Sequence, residues 1–441
     1  MRWLCSESTY AAELGSSGAR LLVSTAPFSL QLRLGARVLA QTAAATSYPS
    51  APIACRRAGQ WQVVSGPPSV DARGDTLRIE WPDGSSFAVH SDGNLHFAAA
   101  GAEAVALALT CRPEEHFYGL GERFDRLDQR GQVLDLWVTN QSSGTATYKP
   151  VPFFTSSGGY GLALDTTRRV YCAFGHPTVP DCTSLTVEGP ELHATLIAGP
   201  HPERIVEAYT GRVGRPPVPP EWMFWPWKSR DWRVEDQASA SEDIRRHQEL
   251  EIPLGVKLID AGWESDGHSF VFDSSKYPDP AALIREADQA GVRLVLWISP
   301  SMTLGGEAYR EAAARGFLIR DSSGQPYVHR LGNEPGWIGT SIDFTYSPAV
   351  TWWQSQLRRL LDMGVRGFKT DFGEQIPPDA VFSDGRTGAE LHNGYPVLYN
   401  RVTWEVLREY DGILLGRSGW AGSQAYPAVW AGDQTSDFSP W

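Results

Sequence analysis

The chain has 441 residues, more than one ordinary core accommodates, so two domains are expected. Asp and Glu total 51 against 39 Lys and Arg, a formal charge of -12, and no basic run stands out. Nucleic acid and anionic membrane surfaces are therefore not expected partners.

A hydrophobic fraction of 42% and a charged fraction of 20% fit a soluble globular enzyme. The 17 Trp suit stacking on sugar rings, or packing in a large core. Cys5, Cys55, Cys111, Cys172 and Cys182 are scattered and form no CxxC pair, so neither a disulfide framework nor a zinc ribbon is expected. Met1–Glu7 has no apolar core or small-residue cleavage site, and no apolar run reaches membrane-spanning length. The cytoplasm is the expected compartment.

Residues 1–205 read as strands. Ala19–Ser24, Ser29–Leu34 and Thr76–Trp81 alternate with period two, the first only loosely, between turn signals such as Pro82-Asp83-Gly84 and Ser91-Asp92-Gly93-Asn94. Many short strands separated by such turns predict a β-sandwich. Within it, Tyr118-Gly119-Leu120-Gly121-Glu122-Arg123-Phe124 predicts a tight loop carrying a Glu122–Arg123 ion pair. It does not match the phosphate-binding GxGxxG spacing, and a purely structural loop is the alternative reading.

A helix-like piece from Ile205 runs into Gly214-Arg215-Pro216-Pro217-Val218-Pro219-Pro220, too proline-rich for helix or central strand. Residues 206–220 are taken as a linker and 221–441 as the second domain.

There strands and helices alternate. Met223–Trp227 is an expected strand, Glu235–Leu250 a helix and Gly255–Asp260 a strand. Asp279-Pro280 opens a helix that Gly291 closes, and Val292–Ile298 is a strand. Glu307–Arg315 is a helix, Ser347-Pro348 opens one that Gly364 ends, and Val365–Lys369 is a strand. A helix over Tyr395–Tyr410 and strands at Gly412–Gly416 and Ala428–Ala431 follow. Such a parallel array predicts a (β/α)8 TIM barrel, of which six strands are counted by Trp441. An open doubly wound sheet explains six strands too, but its glycine-rich first loop is missing.

In such a barrel the carboxyl ends of the strands carry the chemistry. Val365-Arg366-Gly367-Phe368 runs straight into Lys369, Asp371 and Glu374, and Val429-Trp430-Ala431 into Asp433. Two carboxylates at different strand ends suit glycoside hydrolysis, with Asp371 as the expected nucleophile. The local alternative is that Asp371 and Glu374 merely cap the next element. Asp260 ends a third strand and could hold sugar hydroxyls; Lys369 and Arg417 could do the same and keep the nucleophile ionised. Trp263, Trp297 and Trp430 lie near these ends and suit either ring stacking or core packing. His392 reads equally as a structural hydrogen-bonding group or a substrate contact, Asp343 as a turn or cap residue, and Glu374 as a support for Lys369 or the loop. The ten His form no HxH or HExxH pair, and neither a GxSxG elbow nor a GxxxxGK[ST] loop occurs. No metal or cofactor is expected.

Taken in order, Tyr118–Phe124, Trp297-Ile298-Ser299-Pro300, Asp343-Phe344-Thr345 before Trp352-Trp353, Lys369-Thr370-Asp371-Phe372-Gly373-Glu374, His392-Asn393, Arg417-Ser418 and Trp430-Ala431-Gly432-Asp433 resemble glycoside hydrolase family 31 over nearly the whole chain. The resemblance implies a β-sandwich before a (β/α)8 barrel, and cleavage of α-glycosidic bonds with retention. It implies Asp371 as nucleophile, Asp433 as acid/base, and Asp260, Lys369 and Arg417 as sugar-binding residues. The family's later substrate-binding His, its last two barrel strands and its C-terminal β-domains have no counterpart here, so a truncated barrel is expected.

The expected substrate is an oligosaccharide or α-glycoside, first an α-glucoside, because Ala261 and Gly262 leave room for a hexose C6 group where α-xyloside-specific members resemble one another in carrying bulk. Gln434 with Asp437-Phe438 resembles the sulfoquinovosidase branch, although within Glu264–Tyr277 Lys276 is the one fixed cation. A non-catalytic carbohydrate-binding fragment is the reading from another class.

Overall fold

The computed structural model describes residues 3–14, 17–141, 144–332 and 336–434. The chain divides into two units. One holds the described residues up to Trp137 and from Gly144 to Val213; the other holds Val138–Gln141 and the described residues from Gly214.

The first unit is built of antiparallel sheets. A five-stranded meander covers Leu4–Gln41. In Ala19–Thr25 the alternation is complete: Ala19, Leu21, Val23 and Thr25 are buried while Arg20 is exposed. An eight-stranded sheet and a six-stranded sheet follow. Leu95 and Phe97 of one and Val105, Leu107 and Leu109 of the other are almost wholly buried. This is the sheet-rich first domain the alternation predicts.

Phe117–Gly121 is a strand rather than a loop, paired with Pro150–Ser156 through a register shift between Gly119 and Gly121. The glycines are required because a side chain on either would collide with the backbone of the neighbouring strand, at Phe153 and Lys149. Glu122 does not pair with Arg123. It meets Lys149 Nζ at 2.8 Å, while Arg123 donates to the carbonyls of Leu120 and Thr145. Both residues lie past Gly121, the last residue of the strand, in the loop that follows it, and each takes the partner that the folded loop brings to it.

In the second unit six strands form one parallel sheet in chain order: β1 (Trp227–Lys228), β2 (Val256–Ile259), β3 (Arg293–Ile298), β4 (Gly367–Thr370), β5 (Ile413–Gly416) and β6 (Ala428–Val429). They are the described part of an incomplete TIM barrel. Intervening helices span Gln237–Glu249, Pro280–Gln289, Ser347–Asp362 and Tyr395–Leu407. Asp279 caps the second of these, accepting from Ala282 N at 2.9 Å with Pro280 in the first turn, and Gly291 follows it at φ +73°. No helix among the described residues is long and apolar enough to cross a membrane.

The expected strand at Met223–Trp227 is instead a 3-10 turn, Glu221–Phe224, with Phe224 exposed; β1 starts at Trp227. Pro220 and Pro226 bracket the stretch and cannot donate to a ladder. Hydrophobicity alone misplaced the strand.

β2 is buried along its whole length and carries a charge there. Lys257 is fully buried, bonded to Glu235 and, at 2.9 Å, to Asp243. Asp243 also grips Arg230 at 2.8 Å. A buried lysine is tolerable only with such partners.

Candidate active site

The strand ends deliver their charges to one place. Asp371 follows β4, and its backbone N–H still bonds to Ile298 O of β3 at 2.9 Å. The chain then turns sharply, with Phe372 at φ +60° and Gly373 at φ +100°. A bulky residue in that region is strained, and such strain is found where the surrounding structure holds a site in place.

Both oxygens of the Asp371 carboxylate are engaged. Oδ1 lies 2.6 Å from Arg417 Nη1 and accepts from Phe372 N at 2.8 Å. Oδ2 accepts from the Trp297 indole at 2.6 Å, with Lys369 Nζ 3.9 Å away.

Arg417, just past β5, is the organising cation. Nε and Nη2 fork onto Glu374 at 2.7 and 3.1 Å, and Nη1 reaches Asp433 Oδ2 at 3.2 Å. Its plane lies over the Phe372 ring, 4.3 Å from the centroid. Burial opposes its charge, but Asp371 and then Glu374 outweigh that and raise its pKa above the ordinary arginine value. Burial pushes the Glu374 carboxyl up, and Arg417 opposes the rise. The oxygens of Asp371 and Asp433 share one nitrogen, so their separation cannot exceed those 2.6 and 3.2 Å laid end to end.

Lys369 donates to Asp260 Oδ2 at 2.8 Å and sits over the Trp430 ring, 4.7 Å from its centroid. Asp260, Trp297, Lys369, Asp371, Arg417 and Asp433 line one cavity of about 390 Å³. Trp430 is not in its wall. Trp263 is not either: it is fully buried, gives its indole proton to Trp297 O and packs on Phe272. Glu374 is buried behind Arg417. Asp343 does fasten loops, accepting from Thr345 N and Ser383 N at 2.9 and 2.7 Å.

His392 works from a distance. Its two ring nitrogens lie 2.7 Å from Ile376 O and 2.8 Å from Val138 O, and Asn393 Oδ1 accepts from Val138 N. These bonds clamp the Val138–Gln141 segment, whose Asn140 lines the cavity.

Residues 216–440 match the model of the glycosyl hydrolases family 31 TIM-barrel domain, and residues 2–172 that of the glycosyl hydrolase 31 N-terminal galactose mutarotase-like domain. The chain belongs to glycoside hydrolase family 31.

Among its family 31 relatives, the α-xylosidase XylQ of Lactiplantibacillus pentosus is 34% identical over 316 residues, 69% of this chain and 41% of that protein. α-Glucosidase 2 of Bacillus thermoamyloliquefaciens is 28% identical over 353 residues, 73% of this chain and 43% of that protein. A family 31 sulfoquinovosidase from E. rectale superposes with TM-score 0.79 at 19% identity, over 100% of this chain and 70% of that one, a likeness of fold. The chain thus spans about two fifths of the length of the curated relatives it matches.

Sequence reasoning missed part of this family 31 cavity: Asn140, Arg230, Asp231, Trp232, Trp337 and Phe372. Three of them follow β1, whose expected end at Trp227 is one residue short of the observed Lys228, so the strand-end rule that found Asp260 and Asp371 applies to them as well. The room expected beside Gly262 is taken. A Cβ there would lie 3.3 Å from the Trp232 ring, and Gly262 sits at φ +81°, where other side chains are strained. Lys276 is bound to Gly262 O at 3.0 Å. Gln434 donates to Ala431 O; Asp437 and Phe438 lie outside the described residues.

Proposed function

We propose that the chain carries the catalytic apparatus of a retaining α-glycosidase acting on a terminal neutral sugar. The observation that carries this reading is the shared Arg417 nitrogen. It holds one oxygen of each carboxylate to a single nitrogen, an approach that fits the roughly 5–5.5 Å pairs of retaining enzymes more readily than the roughly 6.5–9.5 Å pairs of inverting ones.

In this mechanism Asp371 attacks the anomeric carbon while the bond to the aglycone oxygen breaks, and Asp433 gives that oxygen its proton. Water then attacks the glycosyl ester, Asp433 takes the water's proton, and Asp371 leaves as the carboxylate. Donors on both Asp371 oxygens fix its aim. Asp433, exposed on the other side, has access to water. Asp260 and Lys369 form a paired rim suited to sugar hydroxyls.

A neutral sugar is favoured because each cation in the wall already has carboxylate partners: Arg417 as above, Lys369 with Asp260, and Arg230 with Asp243 and Glu242. Among the described residues of that wall a sulfonate would lack an uncommitted partner, and burying an unpaired anion is costly. An α-glucoside is the substrate expected from Ala261. Trp232 against Gly262 favours a second reading, an α-xyloside, the sugar in the name of the 34% identical relative.

The test is hydrolysis of a panel of aryl α-glycosides by the purified protein, followed by NMR of the first-formed anomer. The α-anomer is expected. A β-anomer would refute retention, and sugar binding without turnover would favour a non-catalytic carbohydrate-binding fragment.

A further inference from the structure

In the first unit three ligand-type side chains meet on one sheet face. His96 lies on the strand Asn94–Ala99 and His193 on Glu191–Ala198, directly opposite each other in the antiparallel register. Glu191 is two residues before His193, so both point to the same face, diagonal to His96. Across the other edge of its strand His96 faces Ala88, which adds no bulk beside it.

The atoms converge. Glu191 Oε2 lies 3.2 Å from His96 Nε2 and 3.4 Å from His193 Nε2. One donor atom from each of the three lies within 4.8 Å of the other two. The imidazoles are stacked, with centroids 4.1 Å apart and planes 9° from parallel. Zinc–nitrogen and zinc–oxygen bonds of about 2.0–2.2 Å put neighbouring ligands of a tetrahedral ion roughly 3.3–3.5 Å apart. The two carboxylate–imidazole distances are close to those edges. Seating an ion asks the rings to tilt out of parallel, which partly exposed side chains can do without moving the ladder beneath them.

We propose that His96, Glu191 and His193 form a binding site for a divalent first-row transition ion, Zn²⁺ by donor set and geometry, with water completing the tetrahedron. Two imidazoles and one carboxylate suit a borderline-soft ion and do not suit Ca²⁺ or Mg²⁺, which take oxygen ligands. The ion would tie the two strands together across the sheet, so its binding energy would add to the stability of the folded domain. Arg78, opposite Ala88 on the next strand, is the nearest cation along the row and lies 3.8 Å from Glu80, which offsets its charge. No sequence motif announces such a site: its ligands are an E-x-H pair and a His from another strand, 95 and 97 positions earlier.

The experiment is a calorimetric titration of the metal-free chain with ZnCl2, in a Cys5→Ser background because Cys5 is an exposed thiol. One equivalent should bind saturably at micromolar concentrations. Tm should rise by about 5 °C at a hundredfold excess over Kd. Co²⁺ should give the visible absorption of a four-coordinate site. His193→Asn and Glu191→Gln should each weaken binding more than tenfold while melting normally without metal. Either no saturable binding, or unchanged binding in both variants, would leave the cluster as a carboxylate bridging two imidazoles and overturn the proposal.

Discussion

Arg417 Nη1 lies 2.6 Å from Oδ1 of Asp371. The same guanidinium forks onto Glu374, which is buried and has no water to fall back on. Arg417→Met should therefore destabilise the chain by about 3–5 kcal/mol, the usual cost of stranding a buried charge. Adding Glu374→Gln should return part of that loss, because it removes the stranded charge. Urea unfolding of the two single variants and the double variant measures the coupling; strict additivity would mean that the fork contributes nothing.

If Asp371 forms the glycosyl ester, a 5-fluoro-α-glycosyl fluoride should label the peptide that contains it. Mass spectrometry of the digest locates the label. Modification of Glu374, with Asp371→Asn still active, would reverse the assignment. The position of Glu374 behind Arg417 predicts that it stays unlabelled.

Asp433→Ala should be slow on substrates with poor leaving groups and partly spared on activated phenyl glycosides, since protonation then matters less. Azide should restore turnover and yield an α-glycosyl azide. Equal losses on both substrate types, with no azide product, would place the acid elsewhere.

Trp232 occupies the space beside Gly262. Trp232→Ala should raise the kcat/KM ratio of aryl α-glucoside to α-xyloside, within the roughly 10–200-fold that a hydrophobic pocket commands for one small group. An unchanged ratio would show that Trp232 does not shape the C6 space. An α-sulfoquinovoside preferred by more than about a hundredfold would overturn the neutral-sugar reading.

His268 is buried and stacked on Trp297, and burial pulls its pKa down to about 4 even though Asp371 opposes the shift. The folded protein therefore keeps this imidazole neutral where the unfolded chain, near 6.5, takes up a proton. Stability from this group is present above about pH 6.5 and is lost as pH falls toward about 4, by roughly 3 kcal/mol at most. Its ring-proton NMR titration should show a midpoint near 4; a midpoint of about 6 or above would sink the prediction.

What the sequence determined by itself is local. A loose period-two alternation marked Ala19–Ser24 as a strand, observed as Ala19–Thr25, and Asp279-Pro280 with Gly291 bounded a helix. Apolar runs breaking into charge marked Asp260, Asp371 and Asp433. Each signal depends on neighbours within a few residues, where backbone sterics and side-chain periodicity act directly. Only the tertiary structure decided which charges meet. Arg417 could have served either acid; strand register and the turn at Phe372–Gly373 bring it onto Asp371, Asp433 and Glu374 together. The same holds for Glu122 choosing Lys149 over its neighbour, for Trp232 filling the space beside Gly262, and for His96 meeting Glu191 and His193. Such pairings join residues 16 to 97 positions apart, and the packing that brings them within bonding distance is a property of the whole sheet, not of any short stretch.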